Sequence, residues 1–156
     1  MDKDKIFKSL IQDAVKNVTS GIGGPFSALI TKGDKIIACT TNTVTSMNDP
    51  TAHAEVNCIR LAAKKLKTYD LSGCEIYSSC EPCPMCLAAI YWARISKIEY
   101  CAEAEDAASV GFDDKEIREE VWKTRPFRKI PEGLFYAPDS MKPFEAWKRK
   151  KNKRKY

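Results

Sequence analysis

The chain has 156 residues, 44% of them hydrophobic, which fits one globular domain with a buried core. Its 26 basic and 21 acidic residues give a net charge of +5, but seven basic residues lie between Lys148 and Lys155. The rest carries 19 basic against 21 acidic residues, a net charge of −2. This balance excludes the broad cationic surface of a nucleic-acid-binding domain. No apolar run approaches the about 18 residues of a membrane span, so we expect a cytoplasmic protein.

Seven cysteines are present, an odd number, and no export signal accompanies them. In a reducing compartment, the close spacing of Cys80, Cys83 and Cys86 indicates metal ligation rather than disulfide bonding. The isolated cysteines are interpreted as small buried apolar residues.

The first half of the chain predicts two helices and a hairpin. Apolar residues at helical spacing predict a helix over 4–20: Ile6, Phe7, Leu10, Ile11, Ala14, Val15 and Val18. Strands over 26–31 and 35–41 flank the turn Lys32-Gly33-Asp34. After a polar loop over 42–51, a second helix begins close to His53 and runs to Ala63.

The second half alternates strands with helices. Strands are predicted over 74–79, 97–102 and 134–137, and helices over 84–94, 103–110, 114–123 and 143–151. This order predicts an α/β fold, a three-layer α/β/α sandwich around a mixed five-stranded sheet. No repeat or linker divides the chain, so residues 1–156 are expected to form a single domain.

Two short segments carry the chemistry: His53-Ala54-Glu55, and Pro82-Cys83-Pro84-Met85-Cys86 about thirty residues later. His53, Cys83 and Cys86 supply three ligands for a tetrahedral zinc, one per chain, with the fourth position open to water. Such a site lowers the pKa of bound water to about 7 and yields hydroxide at neutral pH. Both segments are expected at helix N-termini, which favour thiolates.

Glu55 is predicted to be the catalytic proton shuttle. It can reach the metal-bound water without being a ligand, take its proton, pass it to a ring nitrogen and assist ammonia to leave. Two structural alternatives stay open. Glu55 could merely complement the helix dipole, and Cys80 could complete a closed structural Cys₃His zinc site.

The H-x-E and P-C-x-x-C pair resembles the signature of zinc nucleobase deaminases. Further segments resemble the bacterial guanine deaminases of the cytidine deaminase superfamily: 21–26 (GIGGPF), 48–55 (NDPTAHAE), 80–94 (CEPCPMCLAAIYWAR), 111–114 (GFDD) and 143–147 (PFEAW). The resemblance implies a cytidine-deaminase-like fold, conversion of guanine to xanthine and ammonia in purine catabolism or salvage, and a homodimer. It also implies that the partners exchange a C-terminal segment of about 138–156.

The same resemblance implies further site residues. Phe26, Asn42, Ala54 and Tyr156 would contact the base, Tyr156 from the partner subunit, and Asp114 would act catalytically on the amine-bearing edge. Asn42 could instead shape a loop, Phe26 could be a core residue, and Asp114 could cap the helix that begins near Lys115. Ser27 stands where the family has glycine, and the basic tail is also unusual.

Two other functions compete with this one. A tRNA adenosine deaminase would share His53, Glu55, Cys83 and Cys86 and could use the basic tail, although the acidic body, the segment 112–114 and Tyr156 argue against an RNA stem as substrate. A zinc-stabilised binding module without turnover would leave Glu55 beside an open zinc position unexplained. Nucleic acid is therefore not expected as a partner.

Overall fold

The computed structural model describes residues 2–135 and 137–154. The first helix, α1 (Lys3–Thr19), leads into a hairpin of β1 (Ser27–Lys32) and β2 (Lys35–Thr41). The hairpin closes through Gly33, whose φ of 57° is the left-handed conformation that the sequence Gly-Asp favours.

The rest of the chain continues with α2 (Val44–Met47), α3 (Ala54–Leu66), β3 (Cys74–Ser78), α4 (Pro84–Trp92), β4 (Lys97–Tyr100), α5 (Ala104–Ala108), α6 (Lys115–Trp122) and α7 (Lys142–Arg149). A 3₁₀ turn covers Arg125–Phe127. Within the part of the chain described here, no helix is long and apolar enough to cross a membrane. The cytoplasmic location stays a prediction.

The four strands form one mixed sheet in the order β2-β1-β3-β4. β1 is antiparallel to both β2 and β3, whereas β3 and β4 are parallel and are joined by α4. The start of β1 and the ends of β2 and β3 consequently lie next to one another, at one end of the strands. The segments that precede α3 and α4 converge at this end.

Alternate residues of the strands pack on opposite faces of the sheet. Leu29 and Tyr77 contact Ile6 and Leu10 of α1 on one face. On the other face, the core formed by α3, α4 and the sheet includes Ala28, Ile30, Cys58, Ile76 and Ile90. Helices therefore cover both faces of the central sheet, in agreement with the predicted α/β architecture.

The predicted fifth strand is wrong for the residues described. Leu134, Phe135 and Ala137 pair with no strand, and the side chains of Leu134 and Phe135 are exposed. Tyr136 lies outside the described residues. A strand forms only where a neighbour accepts its backbone hydrogen bonds, and β4, at the edge of the sheet, receives none from this segment.

The apolar stripe of α1 is narrower than the sequence predicts. Ile6, Leu10, Ala14 and Asn17 are buried, whereas Ile11, Val15 and Val18 are about half exposed. The four buried residues are spaced by four, four and three positions, so they lie along one line of the helix. This buried face includes the polar Asn17 and leaves out the half-exposed apolar residues. The short helix α2 was predicted as loop because four residues give no periodicity.

Candidate active site

A cavity of about 880 Å³ opens at the end of the strands where α3 and α4 begin. Its walls include six residues singled out in the sequence: Phe26, Asn42, His53, Glu55, Cys83 and Asp114. Ala54 and Cys86 are fully buried next to it, at the starts of α3 and α4. Tyr156 lies outside the described residues.

His53 and Cys83 occupy the positions that immediately precede α3 and α4. His53 is the N-cap residue of α3, and Cys83 that of α4, with Pro84 at the first helical position where a missing N–H costs nothing. Thr40 donates from Oγ1 to the carbonyl of Ala54 at 2.7 Å, which ties β2 to the start of α3. Both ligand segments are thus held at helix N-termini, where negative charge is favoured.

The ligand atoms of His53, Cys83 and Cys86 lie within 4.8 Å of one another. Nδ1 of His53 is 3.6 Å from Sγ of Cys83 and 3.5 Å from Sγ of Cys86. A tetrahedral zinc about 2.3 Å from sulfur and about 2.0 Å from nitrogen sets such atoms about 3.5 Å apart. The three side chains therefore fit zinc with Nδ1 as the histidine ligand.

The electrostatics of the group also favour a cation. The Cys86 side chain, which hydrogen-bonds Cys83, holds the pKa of the Cys83 thiol well below its usual range, with a smaller contribution from His53. The same bond, together with burial, raises the pKa of Cys86. The protein alone thus stabilises one thiolate, and coordination to a divalent metal deprotonates a thiol outright.

Cys80 takes no part in this group. Its Sγ donates to the carbonyl of Glu103 at 3.5 Å, and it is absent from the metal-ligand cluster of the described residues. The closed Cys₃His arrangement is therefore not what the structure forms, and the cluster offers three ligands.

Glu55 is almost fully buried in the first turn of α3, two residues after the ligand His53. Burial is the main reason that the pKa of its carboxyl group is raised, and Oε1 accepts a hydrogen bond from Oγ of Ser78 at 3.3 Å. A glutamate that only complemented the helix dipole would be solvated, as charged groups normally are. Ser78 gave no signal in the sequence, since a serine inside a buried strand has many structural uses.

Asn42 points one end of its amide into the protein. Its Oδ1 accepts from the backbone N–H groups of Gly24 at 3.3 Å and Val44 at 3.2 Å. No described residue accepts from Nδ2, so the amide offers N–H donors to the cavity. Gly23 must be glycine, because a Cβ there would collide with the Asn42 carbonyl oxygen.

Asn17 tethers the backbone at Gly24 and Asn42 by hydrogen bonds, and the sequence analysis missed it. It is buried, and its Nδ2 donates to the carbonyls of Gly24 at 2.9 Å and Asn42 at 2.8 Å. The signal that could have found it was the polar residue at the i+3 position from Ala14 on the apolar face of α1.

Two aromatic rings form the apolar wall. Phe26 and Phe112 meet edge to face with centroids 5.0 Å apart. Ser27 does not alter this wall: its Oγ is buried, donates to the carbonyl of Leu10 at 2.6 Å and points toward α1.

Asp114 does not cap α6 with its side chain, contrary to the alternative in which it serves only as a helix cap. It stands at the N-cap position of α6 but makes no capping bond, whereas Oδ1 of Asp113 accepts from the Lys115 N–H at 2.9 Å. Oδ1 of Asp114 instead accepts from Nε of Arg118 at 2.8 Å. Arg118 was also missed, although its spacing of four residues from Asp114 on a helix was a usable signal.

Residues 1–102, which include every member of the ligand group, match the model of the cytidine and deoxycytidylate deaminase zinc-binding region. The chain belongs to this zinc-binding deaminase family. Zinc, predicted from the ligand spacing, is thereby confirmed as the metal of the family, and the cytidine-deaminase-like fold is confirmed with four strands in the sheet.

Within this family, the chain is 48% identical to the guanine deaminase of Bacillus subtilis over all of both sequences. The X-ray structure of that enzyme superimposes with a TM-score of 0.97, covering 100% of this chain and 99% of the other. The resemblance to bacterial guanine deaminases is therefore confirmed over the full length.

Two other members cover less. The guanine deaminase of Nitrosomonas europaea is 33% identical, with a TM-score of 0.66 over 70% of this chain and 63% of the other. The tRNA-specific adenosine deaminase of Aquifex aeolicus is 38% identical over 102 residues, which is 65% of this chain and 67% of that protein.

Proposed function

We propose that this protein is a zinc-dependent guanine deaminase that hydrolyses guanine to xanthine and ammonia. The observation that carries the proposal is the buried Glu55 beside the group of His53, Cys83 and Cys86, at the base of a cavity with a donor amide and an aromatic wall. The match to the B. subtilis guanine deaminase over the full length supports the choice of substrate.

The segment after residue 102 favours guanine over tRNA as the substrate. The deaminase family model ends at residue 102, and the similarity to the A. aeolicus tRNA enzyme covers 65% of the chain. The similarity to the B. subtilis guanine deaminase continues to the end of the chain. This segment supplies Phe112 and Asp114 to the cavity, so it contributes part of the surface that would meet the base.

His53, Cys83 and Cys86 would hold the zinc, which supplies a Lewis acid that makes water nucleophilic at neutral pH. Glu55 would accept a proton from the attacking water on its carboxylate, transfer it to a ring nitrogen of guanine and then assist the departure of the C2 amine as ammonia. Burial raises the pKa of the Glu55 carboxyl group, so the side chain is suited both to accept a proton and to return it.

The cavity walls would orient the base. Phe26 offers a ring on which the purine can stack, and Nδ2 of Asn42 can donate to an acceptor on the purine edge. Ala54 is fully buried at the start of α3 and is not among the residues that line the cavity, so its contact with the base stays a prediction. Asp114 would accept from the N–H groups of the amidine edge and steer the leaving amine. Tyr156, outside the described residues, would contact the base from the partner subunit.

We further propose a homodimer that exchanges the segment of about 138–156. Helix α7 contacts no other helix or strand within the described residues, yet it has a basic end and exposes Phe144 and Trp147. An amphipathic helix is stable only when its apolar side is covered, and a partner subunit can cover it. The basic tail would then lie against the acidic body of the partner.

A substrate screen tests the reaction. Zinc-loaded protein is incubated with free bases, nucleosides and tRNA, and ammonia release is measured. Guanine is expected to be the substrate. Ammonia release from tRNA alone would show that the protein is a tRNA adenosine deaminase, and release from none of them would favour a binding module.

Deletion of the residues from Asn152 onward tests the exchange of C-terminal segments between subunits. It should raise KM or lower kcat for guanine while zinc and the dimer persist, and wild-type kinetics would contradict the exchange.

A further inference from the structure

Arg118 joins two walls of the cavity by a three-way contact. Its Nε donates to Oδ1 of Asp114 at 2.8 Å, Nη1 to Oε1 of Glu81 at 3.0 Å, and Nη2 to the carbonyl of Pro82 at 3.4 Å. The guanidinium fork presents donors in a fixed plane, so these three bonds define its position. Arg118 thereby links α6 to the residues that immediately precede the ligand Cys83.

The contact leaves half of the Asp114 carboxylate available. Arg118 occupies Oδ1, and no residue in the described ranges donates to Oδ2. Asp114 lines the cavity, whereas Arg118 lies behind it and lines a separate groove with Pro84 and Trp122. The guanidinium therefore supports the carboxylate from the side that faces away from the substrate.

The fixed end of this support is the loop before the metal ligands. Glu81 accepts from Arg118 with one oxygen and from the Ala104 N–H at 3.3 Å with the other, and its own N–H donates to the carbonyl of Ala102 at 2.8 Å. Among the described helices and strands, α6 contacts only α4. The Arg118 bonds are thus the polar link between α6 and the metal loop.

We propose that Arg118 is a positioning residue for the deamination reaction: it holds the Asp114 carboxylate at a fixed place relative to the metal ligands, with Oδ2 directed to the base. The proposal rests on the proposed function, in which Asp114 acts on the leaving amine. An ordinary surface ion pair contributes little, but Arg118 is about two-thirds buried on its side chain and bonds three groups at once. Small displacements of a reacting group can cost up to about 100-fold in rate.

A double-mutant cycle tests the proposal with R118Q, D114N and the combined variant, all as zinc-loaded enzyme. R118Q should lower kcat for guanine about 10- to 100-fold, change KM by less than about threefold and keep zinc near one per chain, because Arg118 acts on the reacting carboxylate rather than on ground-state binding. In the D114N background, R118Q should change kcat by less than about twofold. R118K, which keeps the charge but loses the fork, should fall between wild type and R118Q.

Arg128 provides a matched control. Its side chain is 35% exposed, against 32% for Arg118, and it bonds Glu132 four residues later at 2.6 Å. R128Q should leave kcat within about twofold of wild type, since it breaks a similar ion pair that lines neither cavity.

Each outcome of these measurements supports or contradicts the positioning role of Arg118. Wild-type kcat in R118Q, or equal losses from R118Q with and without D114N, would overturn the positioning role, and loss of zinc in R118Q would show that Arg118 serves the metal loop instead. If R118Q cannot be purified, R118K replaces it in the cycle: it should lower kcat in the wild-type background by less than R118Q is expected to, and change kcat by less than about twofold in the D114N background. Failure of the wild-type enzyme to release ammonia from guanine would refute the proposed function itself, and a fully active D114N would refute the role of Asp114.

Discussion

Replacement of Glu55 by glutamine changes one atom of a buried side chain and removes its ability to carry a proton. The amide keeps an Oε1 that can accept from Oγ of Ser78, as the carboxylate does at 3.3 Å. Burial raises the pKa of Glu55, which means that the folded protein disfavours the charged form. A neutral glutamine therefore removes no stabilising charge, and we expect an unchanged or slightly higher Tm.

The loss of activity should be large because the same carboxyl group is assigned several proton transfers. General acid–base catalysis contributes about 10²- to 10⁴-fold per group, or about 3–5 kcal/mol in activation free energy. We expect the E55Q variant at the upper end of this range.

The assay follows ammonia release from guanine, with zinc content and thermal unfolding measured on the same preparation. E105Q is the matched control, because Glu105 also lies in the first turn of a helix, α5, but is exposed and does not line the cavity. It should retain wild-type kcat. If E55Q stays within about tenfold of wild type while zinc remains bound, Glu55 is a dipole partner of α3 and not the shuttle.

Three further predictions concern the metal ligands, the loop support and the thiols. C83S and C86S should lose zinc and thermal stability, whereas C80S should keep close to one zinc per chain, and metal analysis that shows equal loss in all three would contradict the three-ligand site. N17A removes the hydrogen bonds to the buried carbonyl of Asn42 and the part-buried carbonyl of Gly24, so it should lower the free energy of unfolding by about 1–3 kcal/mol and raise KM for guanine more than it lowers kcat. Unchanged KM in the folded variant would separate Asn17 from the orientation of Asn42. After zinc removal by a chelator, Cys83 should be alkylated at pH 6 faster than the other thiols, because the hydrogen bond with Cys86 holds the pKa of Cys83 well below its usual range. Cys39 is exposed, contrary to the prediction that the isolated cysteines are buried, but it should react far more slowly than Cys83 at pH 6, because desolvation of its sulfur and the nearby Asp13 raise its pKa to about 11. Peptide mapping by mass spectrometry checks both, and rapid alkylation of Cys39 at pH 6 would refute the assignment.

The parts of the site that lie on regular elements could be predicted from the sequence. The periodicity after His53 located α3, and Pro84 located the start of α4, so the ligand group followed from the positions of two helix N-termini. The prediction of a fifth strand failed because an isolated run of apolar residues carries no information about a hydrogen-bonding partner. The same limit applies to Asn17 and Arg118, whose roles depend on residues 25 and 37 positions away.

The role of Asp114 could not be predicted from the sequence for a different reason. An aspartate just before a helix is most simply a cap, and only the structure shows that Asp113 accepts from the Lys115 N–H while Asp114 bonds Arg118. Adjacent acidic residues are interchangeable in a sequence pattern. Their roles separate once the backbone directs one toward the helix and the other toward the cavity.

The sparse attachment of α6 has a consequence for how a base would enter. Helix α3 packs across three strands, whereas α6 touches α4 alone among the helices and strands described. Segments with few buried contacts open locally at a lower free energy than the rest of the fold. The amide hydrogens of α6 should therefore exchange with solvent well before those of α3. Opening of the wall that bears Asp114 to admit a base would require the Arg118 bonds to Glu81 and Pro82 to break.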